Sequence, residues 1–226
     1  MAREPLTRER VLRAAVALAD ESGLDAVSMR GLSQVLGVVP MALYKHVANK
    51  DELLDGMVDA VIGEFETPGP ELDWTAAVRA RLLSARRAVL RHGWARRAIE
   101  SRTRRTPAVL GYMDAVAGTF RRGGLSVDLT HHVMHALGNR IWGFSPELFD
   151  APPGADAPPP TAEEQRAMVA EFARRFPHVL EIATAATGGD PTAAGQGCDE
   201  QFEFEFALDL LLDGVQRLHE RGWRSG

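Results

Sequence analysis

The sequence predicts an all-α protein, and three observations carry that prediction. Apolar residues recur at three- and four-residue spacing in one segment after another, and no stretch sustains the two-residue alternation of a half-buried strand. Residues suited to capping a helix (Thr7, Ser28, Asn49, Asp73, Ser126 and Thr161) stand just before those segments. Gly and Pro punctuate their ends at Gly23, Gly37, residues 67–70, Gly123-Gly124 and Pro177. With 226 residues, 45% hydrophobic and 25% charged, the chain has a globular composition and room for one large domain or a small and a larger one. One cysteine, Cys198, excludes an intramolecular disulfide framework and suits a reducing compartment. Neither a signal peptide nor a run of about 18 apolar residues is visible, so the expected location is the cytoplasm, with no membrane partner.

Taken in order, Thr7 caps a helix to about Ser22 whose stripe is Val11, Leu12, Ala15, Val16, Leu18 and Ala19. Gly23 ends it, and residues 24–27 connect to a second helix opened by Ser28, with Met29, Leu32, Val35 and Leu36 spaced to bury one face. Gly37 supplies a sharp turn, since a residue without Cβ reaches left-handed angles at little cost. A third, short helix starts at Pro40, which has no N–H to waste in a first turn. It points Met41, Ala42, Tyr44, Lys45 and His46 outward and Leu43 and Val47 inward. Two short helices around a tight glycine turn form a helix-turn-helix, an arrangement whose second helix enters the DNA major groove. Asn49 caps a fourth helix from about Asp51 to Phe65, burying Leu53, Leu54, Met57, Val58, Val61 and Ile62, with Asp51 and Glu52 at its positive end.

The break at residues 67–70 marks the boundary between a domain of residues 1–66 and one of 67–226. Helices follow at about 74–91, 95–102, 106–123 and 126–144. Residues 145–160, with Pro158-Pro159-Pro160, read as a surface loop. Thr161 and Glu164 have the spacing of a capping box and open a helix to about Phe176; Pro177 starts a shorter one, and residues 188–197 form another loop. The last helix, about 199–221, is apolar around much of its girth. Phe202, Phe204 and Phe206 cannot share one face, because neighbours in that series sit about 200° apart. Either this helix is central to its own domain, or one face meets a partner chain.

The net charge of −5 hides a strong pattern. Residues 1–50 carry a net +2, residues 51–78 a net −8 with no Arg or Lys, and residues 79–105 ten Arg and one Glu. The N-terminal end is thus the side able to approach phosphates. The arginine run attracts an anionic effector or DNA on one reading, and on the other is a solvated face paired with acids at 64–73 and 199–205. His131, His132 and His135 include an i, i+4 pair, but with one cysteine in the chain no metal site is expected.

The segments Met29-Arg30-Gly31-Leu32-Ser33-Gln34-Val35-Leu36-Gly37-Val38, Ala42-Leu43-Tyr44-Lys45-His46-Val47 and Asn49-Lys50-Asp51-Glu52-Leu53-Leu54 resemble the DNA-binding end of the tetracycline-repressor (TetR) family. Leu90-Arg91-His92, Thr103-Arg104, Arg122-Gly123-Gly124-Leu125-Ser126 and the stretch from Phe204 to Gly214 resemble the ligand-binding half of the family's tetracycline repressor. The resemblance implies an all-α homodimer, paired through helices near 126–144 and 199–221. In it a small molecule tilts the fourth helix and moves the heads off double-stranded operator DNA. On the head, it implies that Ser28, Arg30, Pro40, Met41, Ala42, Tyr44, Lys45 and His46 face DNA and that Lys50 meets a phosphate. Tyr44 and His46 then fix position on phosphates, and Arg30 is the candidate for a guanine edge. Pro40, Met41 and Ala42 replace polar residues of the repressor, so a different operator is expected.

In the larger half, Thr103, Arg104 and Asn139 fall at pocket positions and Glu147 falls near an acid that helps hold a drug-bound magnesium. Glu100 stands where the metal-binding histidine would be, and Leu82 and Arg86 stand at other polar pocket positions. That speaks against a magnesium–tetracycline chelate and for a different effector, walled by Trp94, Ile99, Met113, Val116, Met134, His135 and Trp142. No nucleophile elbow, zinc helix, phosphate-binding loop or dinucleotide fingerprint is present. The expected function is therefore a ligand-responsive repressor without catalytic residues or cofactor. A helical enzyme, or an interaction module that has lost DNA binding, is the alternative.

Overall fold

The computed structural model describes residues 5–142, 161–186, 189 and 199–226. All regular structure among the described residues is helical. Backbone contacts divide the chain into one unit of residues 1–144 with 212–226 and a second of residues 145–211.

The first unit begins with α1 (Arg8–Ser22), where the Thr7 hydroxyl accepts from the Arg10 N–H at 3.1 Å. A 3-10 turn at Leu24–Ala26 leads to α2 (Met29–Leu36), whose first turn is capped by Ser28, its Oγ accepting from the Gly31 N–H at 3.0 Å. Gly37 sits at φ 63°, ψ 39°, in the left-handed region the sharp turn requires. α3 (Pro40–Leu43) follows, then α4 (Lys50–Ile62). The start of α4 is tied twice, since Asn49 Oδ1 accepts from the Glu52 N–H at 2.8 Å and Glu52 accepts from the Ala48 N–H at 2.7 Å.

Val11, Leu32, Leu43, Val47, Leu53 and Met57 are sealed in one apolar cluster. A Cβ at Gly56 would lie 2.6 Å from Leu12, so the glycine is what lets α4 rest closely on α1. The cluster continues through α4 to Ala88, Trp94, Ala95 and Ala98. Residues on both sides of the expected 66/67 boundary thus share one core.

α5 (Trp74–Arg91), α6 (Ala95–Glu100), α7 (Pro107–Arg122) and α8 (Val127–Trp142) complete the framework of this unit. Asp73, Thr106 and Ser126 cap α5, α7 and α8 through backbone N–H groups of Ala76, Val109 and Leu129. α5, α7 and α8 pack on one another and bury Leu82, Val116, Phe120, Leu125, Leu129 and Leu137. Trp74 lies against Phe120, ring centres 5.7 Å apart. After the final helix, Ser225 donates from its N–H and hydroxyl to Asp128 at 2.6 and 2.7 Å, which pins the tail to α8.

In the second unit α9 (Ala162–Arg175) starts with the expected capping box between Thr161 and Glu164 and packs on α10 (Pro177–Ala186). α11 (Glu200–Glu220) begins in this unit and ends in the first. Its two faces differ sharply. Phe204, Leu208, Leu212 and Val215 are buried, whereas Phe202, Phe206 and Leu210 are 63%, 57% and 57% exposed. The three phenylalanines therefore divide as helical geometry requires, and Phe202 and Phe206 stack on the open face at 6.5 Å.

The structure corrects the sequence reading in a few places. α3 is a single turn of four residues, and Tyr44–His46 continue it only as turns closed by hydrogen bonds to the Leu43 carbonyl. Val35, expected to face inward, is 59% exposed, because a helix of eight residues buries too narrow a stripe to include it. α4 ends at Ile62 and α6 at Glu100, each giving way to shorter-range turn hydrogen bonds. The loops expected at 145–160 and 188–197 lie, apart from Gly189, outside the described residues, as do Glu147 and Cys198.

Candidate functional site

The head formed by α1–α4 presents a compact exposed surface around α3. Arg30, Pro40, Met41, Tyr44, Lys45 and Lys50 are exposed there, with Ala42 and His46 half-buried. Leu43 and Val47 anchor the surface from beneath at 0% and 1% exposure. The side chains of Arg30, Tyr44, Lys45 and His46 have no hydrogen bond or ion pair among the described residues. Ser28 differs, since its hydroxyl is engaged in capping α2. Val39 is also exposed, so Val35, Val39, Pro40 and Met41 set four exposed apolar side chains beside the polar ones. Periodicity in the sequence gave no sign of Val35 or Val39, because both look like core residues until their exposure is known.

An open cleft of about 1620 Å³ lies among α4, α6, α7 and α8. Ile99, Glu100, Thr103 and Arg104 line it from the α6 side, Met113 from α7, and Met134 and His135 from α8. Leu82, Arg86, Trp94 and Val116 are buried in the surrounding core and do not line it. Asn139 and Trp142 are on α8, but their side chains, like Glu147 as a whole, fall outside the described residues. Sequence reasoning did not single out Arg102, Arg105, Thr106, Arg121 or Thr130 as lining residues. One signal was available: Thr130, His131, Met134 and His135 recur at the spacing of a single helix face. Among the described residues no group of three or more His, Cys, Asp or Glu side chains is placed to hold a metal ion.

The cleft and the head share α4, and a loop beside the cleft grips that helix. Asp51, Asp55 and Asp59 fall four residues apart along α4, on one face. Arg102, whose side chain is 15% exposed, donates to Asp51 at 3.0 Å and to Asp55 at 3.4 Å, and reaches the Asp51 carbonyl at 3.3 Å. Thr106 Oγ1 hydrogen-bonds Asp59. Arg102 and Thr106 also line the cleft, so the segment that borders it also holds α4, the helix that begins at Lys50. Other arginines of the run are also paired with acids: Arg87 with Glu66, Arg91 with Glu64, Arg96 with Glu100 and Arg97 with Asp25.

A second tie joins α1 to the end of α5. His92 is buried, with Nδ1 2.7 Å from Asp20 and Nε2 3.0 Å from Glu64, and the Trp94 indole N–H donates to the same Asp20 oxygen at 2.6 Å. Burial by itself would lower the imidazole pKa. The hydrogen bonds to Asp20 and Glu64, and the charges of those carboxylates, outweigh that and raise it above its ordinary 6.5. A raised folded-state value means that the native protein holds this proton more tightly than the unfolded chain. The resulting stability is fully present below about pH 6.5 and is lost as pH rises through the folded value. Thermal melts should therefore fall more steeply from pH 6.5 into the mildly alkaline range for the parent than for His92→Gln; parallel profiles would remove this role.

Comparison with known proteins agrees with this arrangement. Residues 11–57 match the family described as "Bacterial regulatory proteins, tetR family", and residues 67–218 match "Tetracyclin repressor-like, C-terminal domain". The HTH-type transcriptional repressor DrrR1 of Streptomyces coeruleorubidus is 32% identical over 221 residues, covering 94% of this chain and 78% of that one. The tetracycline repressor protein class D of Escherichia coli is 38% identical over 90 residues, 38% of this chain and 41% of that one. Among solved structures, apo ActR from Streptomyces coelicolor has 28% identity and a TM-score of 0.70, covering 98% of this chain and 100% of that one. ActR in complex with actinorhodin has 29% identity and a TM-score of 0.67, covering 96% and 97%. The chain belongs to the TetR family of transcriptional regulators, which are not enzymes.

Proposed function

We propose that this protein is a cytoplasmic repressor that binds operator DNA as a homodimer through the α2–α3 head and leaves it when a small molecule enters the cleft. In this reading residues 1–66 form the DNA-binding part and residues 67–226 the ligand-binding and dimerising part. The observation that carries it is the double role of the 102–106 segment, which borders the cleft and grips Asp51, Asp55 and Asp59 of α4. A ligand that reorders this segment changes how α4 is held, and α4 carries Lys50 and adjoins the α3 turn. To reverse the populations from one extreme to the other, the ligand must favour the released state by about 10⁴-fold. DrrR1 is named a transcriptional repressor, and ActR has been solved with a bound small molecule, which supports both halves of the reading.

On the head, Tyr44, His46 and Lys50 are assigned to phosphates and Arg30 and Lys45 to base edges, with Met41, Ala42 and Pro40 meeting thymine methyl groups. Tyr44→Ala and Lys50→Ala should each weaken binding to specific and unrelated duplexes alike, by about tenfold, and Lys50→Ala should reduce the salt slope by about one. A change confined to sequence preference, read by fluorescence anisotropy on both duplexes, contradicts the phosphate assignment.

The exposed Phe202, Phe206 and Leu210 stripe of α11, with α8, is assigned to the dimer interface. Leu210→Asp places a charge on that exposed stripe and should yield folded monomers by sedimentation, with helicity kept by circular dichroism; a folded dimer refutes the assignment. The function as a whole is tested by a mobility shift with DNA flanking the protein's own coding region. Retarded complexes resistant to unrelated competitor DNA are expected. No preference over unrelated duplex contradicts the reading.

A further inference from the structure

The cleft has a chemistry of its own, and it points to the class of molecule it takes. Its apolar surface comes from Ile62, Val109, Leu110, Met113 and Met134. Its volume of about 1620 Å³ exceeds the roughly 300–1,000 Å³ of most small-molecule pockets, which suits a body of several fused or linked rings. Thioethers such as those of Met113 and Met134 adapt to flat ring edges. His131 and His135, edge to face at 4.8 Å, add further ring surface on α8.

The polar groups of the cleft are unevenly divided by sign. Arg104 and Arg105 are exposed lining residues with no hydrogen bond or ion pair among the described residues, unlike the neighbouring Arg96, Arg97 and Arg102. Arg121 donates to the Leu125 carbonyl, a neutral acceptor. Of the two acids in the lining, Glu100 is already neutralised by Arg96 at 2.9 Å, which leaves Asp114 alone against these cations. A second, independent feature is Thr130. It is 6% exposed, it lines the cleft, and its Oγ1 has no hydrogen-bond partner among the described residues. Buried hydroxyls are nearly always satisfied, so one left open in a cleft wall is a hydrogen-bonding position prepared for an incoming group.

We propose that the cleft binds an amphipathic anion, a ring system carrying a carboxylate or comparable acid, with the acid held by Arg104 and Arg105 and a polar oxygen of the rings met by Thr130. Guanidinium groups suit this task because their planar fork matches an acid's paired oxygens. This inference rests on the reading of the cleft as the effector site.

The test uses two probes with the same ring body, 8-anilinonaphthalene-1-sulfonate and neutral N-phenyl-1-naphthylamine, titrated by fluorescence into the intact protein, Arg104→Gln/Arg105→Gln, and Thr130→Val. The intact protein should bind the sulfonate at least about tenfold more tightly than the neutral probe. The double variant should lose most of that preference while keeping its affinity for the neutral probe and its melting temperature. Thr130→Val should leave the sulfonate preference in place. Equal affinity for the two probes in the intact protein, or a preference unchanged in the double variant, overturns the proposal. DNA binding is measured on the same samples, which separates the two failures. Protein that binds its DNA but shows no charge preference sinks the ligand class alone, whereas protein that binds no DNA sinks the regulator reading.

Discussion

Leu43→Ala should abolish specific DNA binding while leaving the cleft intact. The whole of α3 is four residues, too short to hold itself together, so its position depends on side chains beneath it. Leu43 is fully buried and sits in the same cluster as Val11, Leu32 and Leu53. Truncating a buried leucine costs about 2–5 kcal/mol, and nothing in a single helical turn offsets that loss. The competent arrangement of Tyr44, Lys45 and His46 then becomes a minor population. Apparent affinity for a specific site should drop by about 10²-fold or more, toward the sequence-independent level. Anisotropy on specific and unrelated duplexes measures the loss. Fluorescent-probe binding at the cleft, whose described lining comes from α4 and α6–α8, should change little.

Phe120→Ala should do the reverse. Phe120 is among the largest fully buried side chains; it lies on α7 against Trp74 of α5, away from the α1–α4 cluster. Its truncation should cost about 3–5 kcal/mol. For a chain of this length that lowers the melting temperature by about 10 °C. Met113, Ala117 and Arg121, which line the cleft, are on the same helix, so probe binding should weaken with stability. Two melts and two binding curves on these variants separate the core under the DNA-reading surface from the core behind the cleft. If both variants lose both activities equally, the two cores act as one.

Much of this organisation was legible in the sequence because it is local. Thr7, Ser28, Asn49, Asp73, Ser126 and Thr161 each cap the helix that follows, since a side-chain oxygen needs only a backbone N–H two or three residues on. Leu43 and Val47 were legible as buried, and Tyr44 and Lys45 as exposed, because a helical stripe and a glycine turn at Gly37 determine which way they face. The cleft was less legible, because its members come from four helices whose meeting is not a local property. Leu82, Arg86, Trp94 and Val116 have the residue types of pocket walls, yet packing buries them in the core. Arg102 gave no signal, because its partners Asp51 and Asp55 lie about fifty residues earlier in the chain. Nor did the Asp20–His92–Glu64 cluster, whose members come from three separate elements.

Binding of DNA by the α2–α3 head is read from the salt dependence of the affinity. Anisotropy titrations of the intact protein against DNA flanking its own coding region, repeated at several salt concentrations, should give log K falling linearly with log salt as phosphate contacts release counterions. At each salt the affinity should exceed that for an unrelated duplex of equal length, and Leu43→Ala should remove that excess. An intact, folded protein showing no salt-sensitive binding to any duplex, even at low salt, would rule out DNA binding by the head.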